Sequence, residues 1–134
     1  MNNTHSRLTL VGLFALFATL AGCSNKLTGS LTIDARVFRP TSCNSGQALG
    51  FAGVELHADD DDRRVRIVSL PTTQTQVVVL GGGTIVQLSN CGLMNLETQN
   101  STVNDVRNVR GNVMLQCTDG VHNVSGAITF ENCH

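Results

Sequence analysis

Five cysteines are the residues of this 134-residue chain whose type and spacing indicate specific chemistry. A cysteine thiolate can ligate zinc, close a disulfide or accept a covalent group. The last four cysteines are separated by 48, 26 and 16 residues, without the close pairs that are typical of zinc sites. They are Cys43, Cys91, Cys117 and Cys133. We therefore predict no metal site at these residues and two disulfides, as expected of an exported domain.

The remaining cysteine, Cys23, follows an apolar segment near the amino terminus. A short polar stretch that contains Arg7 precedes Leu8 to Leu20, which carry no charge. These 13 residues are fewer than the roughly 20 that span a bilayer as a helix. Their length and flanks are typical of the hydrophobic region of a signal peptide.

The residues that end this segment, Leu20-Ala21-Gly22-Cys23, resemble the lipobox of bacterial lipoproteins. The resemblance implies that the Cys23 thiol receives a diacylglyceryl group, that the chain is cut before Cys23, and that the new amino terminus is acylated. Ser24, where inner-membrane retention in enterobacteria uses Asp, implies the outer membrane. The resemblance thus predicts a lipid-anchored protein of the bacterial cell envelope, and it leaves an even number of cysteines.

These signals divide the chain into three parts. We predict a signal peptide over 1–22, the lipidated cysteine with a short tether over 23–30, and one β domain over 31–134. The length of the last part suits a single domain.

Alternating apolar and polar residues predict that this domain is all-β. "LTIDARV", "NVMLQC" and "SGAITFENC" alternate as half-buried strands do. About seven such strands, interrupted every eight to twelve residues, are typical of a small antiparallel β-sandwich or barrel, here braced by two disulfides. A β-solenoid is the minority alternative, based on a faint five-residue recurrence of apolar positions. Residues 100–112 fit neither pattern, because their valines lie three apart, and they suggest a helical turn, an irregular crossing or a solenoid rung.

The strand pattern also limits the disulfide pairing. If "NVMLQC" and "SGAITFENC" form a hairpin, position 118 lies opposite about 124, and Cys133 lies roughly 26 Å from Cys117. A disulfide needs Cα atoms within about 7 Å, which disfavours Cys117–Cys133. Two pairings remain: Cys43–Cys133 with Cys91–Cys117, or Cys43–Cys117 with Cys91–Cys133. We favour the first, because Cys91 and Cys117 both end strands that should close at the same end of the sandwich.

Other polar residues offer weaker candidates for chemistry. The run "DDDD" (59–62) could bind calcium, but arginines follow it at once, so we interpret it as a solvated hairpin tip that pairs with its own arginines. His57, His122 and His134 lack the spacing of a metal site and are interpreted as surface residues. No nucleophile elbow or zinc-protease motif is present in the sequence.

Composition excludes further classes of function. The chain has 9 Lys and Arg against 10 Asp and Glu, and it lacks Trp and Tyr, so nothing favours nucleic-acid or sugar binding. We expect no enzyme activity and no cofactor. The sequence predicts an envelope lipoprotein, anchored in the membrane through Cys23, whose non-enzymatic β domain binds an envelope protein or serves a structural role. The alternative is an inhibitor of an envelope-directed hydrolase, by analogy with the anchoring and size of lysozyme-inhibitor lipoproteins.

Overall fold

A computed structural model describes residues 24–134, which form two antiparallel sheets of five strands each. The prediction of an all-β antiparallel sandwich is therefore confirmed, and within this range the strands close no barrel and form no solenoid. No helix among these residues has the length and apolar character needed to cross a membrane. The strands in chain order are β1 Lys26–Ile33, β2 Arg36–Phe38, β3 Ser42–Ser45, β4 Gly53–Ala58, β5 Asp61–Ser69, β6 Thr75–Gly81, β7 Thr84–Leu88, β8 Gly92–Val103, β9 Val106–Thr118 and β10 Asn123–Cys133.

The first sheet has the order β2-β1-β10-β9-β8, and the second has the order β3-β4-β5-β6-β7. From Lys26 onward, the chain thus passes through β1 and β2 of the first sheet, builds the second sheet as a meander, and returns to the first sheet with β8. One short 3₁₀ helix, Gly46–Leu49, connects β3 to β4.

The core lies between the sheets and is mainly aliphatic. Alternate residues along each strand point inward, which is the pattern that the strand period of two requires. The buried apolar residues are Leu31, Ile33, Phe38, Cys43, Val54, Leu56, Val65, Ile67, Val77, Val79, Leu88, Cys91, Val109, Val113, Leu115, Cys117, Val124, Ile128, Phe130 and Cys133. The core and both disulfides lie within residues 24–134, so this part of the chain contains a complete folding unit.

The strands of the second sheet cross those of the first. At one end of β6, the Thr75 carbonyl accepts a hydrogen bond from Cys91, next to the start of β8. At the other end, Val79 and Gly81 line a recess together with Ile33 of β1. Strand β8 is one edge of the first sheet, and β1 lies next to the other edge. Strand β6 therefore passes across the width of the first sheet, as in orthogonal sandwich packing.

The tether differs from the prediction. Strand β1 begins at Lys26, so residues 26–30 pair with β10 and are not a tether. Thr28, Gly29 and Ser30 resemble linker composition, but their backbones complete the ladder with the long strand β10, and tertiary pairing overrides local preference. The alternating segment "LTIDARV" is also not one strand, because the chain turns at Asp34 and Ala35, both with positive φ.

The interpretation of residues 100–112 as a helical turn, a crossing or a solenoid rung is wrong. These residues form the end of a hairpin between β8 and β9, with a two-residue turn at Asn104 and Asp105. Val103 and Val106 are three apart because they flank this turn, and the register shift between Thr98 and Thr102 interrupts the strand period of two before it.

Candidate functional site

Among the predicted site residues, Cys23 lies outside the described range, and the other four cysteines form two disulfides. Cys43 of β3 pairs with Cys133 of β10, with Cα atoms 5.0 Å apart. Cys91, between β7 and β8, pairs with Cys117 of β9, with Cα atoms 4.5 Å apart. The pairing that we favoured is confirmed. The first bond joins the two sheets directly, and the second fixes the point where the chain passes from one sheet to the other.

The chain is fixed to the sandwich two residues after Cys23. The Asn25 side chain donates to the Asn132 carbonyl at 2.6 Å and accepts from the Cys43 backbone N–H at 3.2 Å. The Asn132 side chain donates to the Ser24 carbonyl at 3.3 Å. Ser24 and Asn25 therefore adjoin the end of the sandwich that carries the Cys43–Cys133 disulfide.

An unpaired sheet edge is the most extended binding feature of residues 24–134. Strand β8 has 12 residues and, within residues 24–134, pairs only with β9, so no described residue occupies the backbone groups on its outer side. The other edge strands are much shorter: β2 has 3 residues, β3 has 4 and β7 has 5. Long free edges can accept an additional strand, and proteins usually shorten, charge or cover them.

A groove of about 650 Å³ lies beside this edge, between the two sheets. One wall consists of Gln47, Gly50 and Phe51, and the other contains Leu96 of β8 with Arg107 of β9. The position of Phe51 depends on Gly46, because a Cβ at Gly46 would lie 2.5 Å from the Phe51 ring. We call this feature, β8 with its adjoining groove, the β8 groove.

Among the described residues that line the β8 groove, Arg107 is the one that carries a positive charge. Arg107 is exposed and forms no ion pair with any residue of the range 24–134. In contrast, Arg110 on the same strand is bound to Glu97 of β8, with its Nη2 2.9 Å from a carboxylate oxygen. A ligand in the groove therefore meets an apolar wall and one available positive charge.

Asn108 adds a second polar feature to this strand. It is fully buried between Arg107 and Val109 in the sequence, and neither side-chain Nδ2 nor Oδ1 has a hydrogen-bond partner among the described residues. An unpaired buried amide costs about 1–3 kcal/mol, and natural proteins contain few of them.

A different cluster joins two turns at the other end of β1. His122, in the β9–β10 turn, places Nδ1 2.8 Å from Oδ2 of Asp34, and Oδ1 of Asp34 accepts from the Asn123 backbone N–H at 2.8 Å. The Asp34 hydrogen bond raises the pKa of His122, and the His122 hydrogen bond lowers the pKa of Asp34. The hydrogen bond also ties the turn after β1 to the turn before β10.

The aspartate run forms a tight hairpin tip that pairs with its own arginine, as predicted, but the paired side chains are not solvated. Asp61 pairs with Arg63 through a two-pronged contact, and both side chains are largely buried. The hydrogen bonds from the Arg63 guanidinium lower the pKa of Asp61 to about 2. The Asp61 carboxylate is therefore engaged within the hairpin.

One carboxylate is buried on the outer face of the second sheet. Glu55 is only 2% exposed, and it accepts from Arg66 Nε at 2.6 Å and lies 3.0 Å from His57 Nε2. The Arg66 guanidinium lies over the Phe51 ring, 5.9 Å from its centroid. This ion cluster supports the Phe51 wall of the β8 groove from behind.

Within residues 24–134, the histidines, cysteines and carboxylates form no group of three that could hold a metal ion. The paired histidines act as links between segments: His122 joins two turns, and His57 covers Glu55. The sequence did not indicate the His122–Asp34 pair, because 88 residues separate the partners. The His57–Glu55 pair had a signal, since the two residues lie two apart on β4 and therefore face the same side.

Comparisons of the chain with protein-family models, with curated proteins and with solved structures find no match.

Proposed function

We propose that this protein is a lipid-anchored component of the bacterial cell envelope whose β-sandwich binds a partner and catalyses no reaction. Three features support the proposal. The residues Leu20 to Cys23 resemble a lipobox. The two disulfides suit an oxidising compartment outside the cytoplasm. The β8 groove combines a free backbone edge, an apolar wall and an available cation, which together suit recognition better than catalysis.

The β8 groove is the observation that carries the binding role. Its Phe51 wall is held in place from two sides, by the close approach of Gly46 and by Arg66 over the ring. Binding sites are usually concave, largely apolar and preformed, with a few polar groups that fix orientation. Arg107 supplies such a group in this groove.

The proposed anchor would also fix the orientation of the domain. Since Asn25 and Asn132 tie the chain to the sandwich, a lipid on Cys23 would hold this end within about 7 Å of the membrane surface. Strand β1 has 8 residues, so the turn at Asp34 would lie roughly 25 Å farther away. A partner of the domain would therefore have to reach it close to the membrane.

The inhibitor alternative lacks comparable support. An inhibitor that blocks a hydrolase cleft would need a protruding loop whose charges are free to engage the enzyme. In the most charged loop, Asp61 and Arg63 bind each other, and the chain turns directly from β4 into β5.

Mass spectrometry of the membrane-extracted protein tests the anchor. We expect residues 1–22 to be absent and an acyl mass to be present on Cys23. The matched control is Cys23→Ser, which keeps the size of the side chain but removes the thiol and should retain residues 1–22 without the acyl mass. A wild-type protein that keeps its first 22 residues, or whose Cys23 is unmodified, would contradict the proposed anchoring.

A further inference from the structure

We propose that the β8 groove binds an extended segment of a partner polypeptide, which adds to the first sheet as a sixth strand. The segment places an apolar side chain against Phe51 and an acidic side chain beside Arg107. This inference rests on the proposed binding role and deepens it by naming the chemistry of the partner. In this mode of recognition, backbone hydrogen bonds supply affinity, and pockets for alternate side chains supply specificity.

The free backbone groups of β8 can be assigned from its pairing with β9. Gln116 N–H donates to the Cys91 carbonyl, so this carbonyl faces β9, whereas the Cys91 N–H donates to Thr75 of β6. Alternation then turns the N–H and C=O groups of every second residue away from β9. These outward residues are Gly92, Met94, Leu96 and Thr98. They cover about 20 Å of strand, which is enough for a partner segment of six or seven residues.

Between Gly92 and Thr98, before its register shift, strand β8 lacks the lysine and proline residues that usually prevent such pairing. It contains no Pro and no Lys, and its single charged residue, Glu97, is bound to Arg110. The shorter edges are limited by their length, and Pro40 lies between β2 and β3. Among the four edges of the two sheets, β8 is therefore the one that can accept a long strand.

The groove lies where the side chains of an added strand would point. Leu96 is partly buried and faces inward, so an added residue beside it would direct its side chain between the sheets, toward Phe51. An apolar side chain would cover the ring and Val109. Farther along the groove, Arg107 would meet a carboxylate, because it has no ion-pair partner within residues 24–134.

A second copy of the chain fits this edge less well. Its own β8 has one acidic residue, Glu97, which already binds Arg110, so it offers no carboxylate to Arg107. Antiparallel pairing of two β8 strands would also place their β1 strands in opposite directions. The two Cys23 residues would then lie at opposite ends of the dimer, and both could not be anchored in one membrane surface.

The test uses the oxidised 24–134 domain and a phage-displayed library of random peptides. We expect the selected peptides to share a short run of β-branched or aliphatic residues with one acidic residue. Their binding should shift the backbone amide NMR signals of Gly92, Met94, Leu96 and Thr98. In a synthetic copy of a selected peptide, N-methylation of one alternate set of residues should abolish binding, and N-methylation of the other set should leave it intact.

Three variants of the domain separate the contribution of the Arg107 charge to peptide binding from that of the β8 backbone. Arg107→Glu should weaken peptide binding about tenfold or more, because it replaces an attraction by a repulsion. Arg64→Glu, a matched control on the exposed face of the second sheet, should change it less than about twofold. Thr98→Pro removes an outward N–H without removing a bond to β9, and it should also weaken binding at least tenfold while the fold is preserved.

Three results would overturn the proposal. The first is that no selected peptide binds the domain. The second is a dimer of the domain in which β8 pairs with β8, seen by light scattering and by the same amide shifts without peptide. The third is a peptide that lies in the groove while the edge amides do not shift and both N-methylated sets bind equally. This last result would refute strand addition but leave the binding role of the groove in place, and none of the three depends on lipid at Cys23.

Discussion

At the scale of single residues, the His122–Asp34 pair is an interaction that the fold creates and that the sequence pattern does not predict. His122 follows a turn in which Asp119 accepts the backbone N–H groups of Val121 and His122. This capped turn sets the imidazole above the β1–β2 turn, where Asp34 stands at the first turn position. The residues around Asp34 and around His122 contain no pattern that links the two positions, so the sequence predicted only a surface histidine at position 122.

The stabilising effect of this pair should depend on pH. The pKa of His122 is raised in the folded state, so its contribution is complete below the ordinary histidine pKa of about 6.5 and is lost as the pH rises through the raised value. The pKa of Asp34 is lowered, so its contribution is lost as the pH falls through the carboxyl range. We expect the difference in melting temperature between the wild-type domain and His122→Gln to be largest between the carboxyl range and about pH 6.5, and to shrink as the pH rises through the raised pKa of His122.

NMR titration of the imidazole provides the direct measurement. The His122 signals should titrate above the ordinary histidine value in the wild-type domain and return toward it in Asp34→Asn. If the titration midpoint is the same in both proteins, the hydrogen bond does not set the pKa of His122.

At the scale of elements, the sequence predicted the strands that have one buried and one exposed face. β9 and β10 alternate cleanly, and their hairpin and its consequence for the disulfides could be derived before the structure was known. β8 could not be predicted, because an edge strand is exposed along much of its length and its polar residues lie on both faces. The register shift between Thr98 and Thr102 removed the remaining periodicity. The β8 groove was therefore not predictable, since one of its walls belongs to β8, which the sequence pattern does not indicate.

The turn between β1 and β2 contains a local conflict that a single substitution should relieve. Asp34 and Ala35 have φ values of 49° and 65°, and Ile33 pairs with Arg36, which defines a two-residue turn of the type that favours Asn-Gly or Asp-Gly. Alanine in the left-handed region costs about 1–2 kcal/mol. Ala35→Gly removes this cost, although glycine also gains freedom in the unfolded chain. We expect a net gain of about 0.5–1 kcal/mol in the free energy of unfolding, measured with urea.

Two controls make this result specific. Ala35→Val should destabilise the domain, because a β-branched residue is poorly tolerated at positive φ. Asp105→Gly, at the equivalent position of the β8–β9 turn with φ of 65°, should give a smaller gain, since Asp tolerates this conformation better than Ala. A loss of stability in Ala35→Gly would show that the Ala35 side chain contributes more through its contacts than its backbone conformation costs.

At the scale of the whole molecule, the two disulfides hold together a thin aliphatic core. Phe38 and Phe130 are the only buried aromatic residues within 24–134, and a domain of about 100 residues buries only about two-thirds of its chain surface. One bond joins β3 of the second sheet to β10 of the first. The other ties the segment between β7 and β8, where the chain passes from the second sheet to the first, to β9. We therefore expect the sheets to unfold as one cooperative unit while both bonds are closed.

The two bonds should contribute unequally to this stability. Cys43–Cys133 closes a loop with a sequence separation of 90, and Cys91–Cys117 closes one with a separation of 26. In the chain-entropy description of disulfides, loops of these lengths correspond to about 4.5 and about 3.5 kcal/mol. The pairwise replacement Cys43→Ser with Cys133→Ser should therefore destabilise the domain by about 1 kcal/mol more than Cys91→Ser with Cys117→Ser. Replacing both partners of a bond avoids a free thiol, and urea unfolding of the two proteins gives the comparison. The opposite order of stability would mean that the passage from β7 to β8, and not the closure of the longer loop, limits the stability of the sandwich.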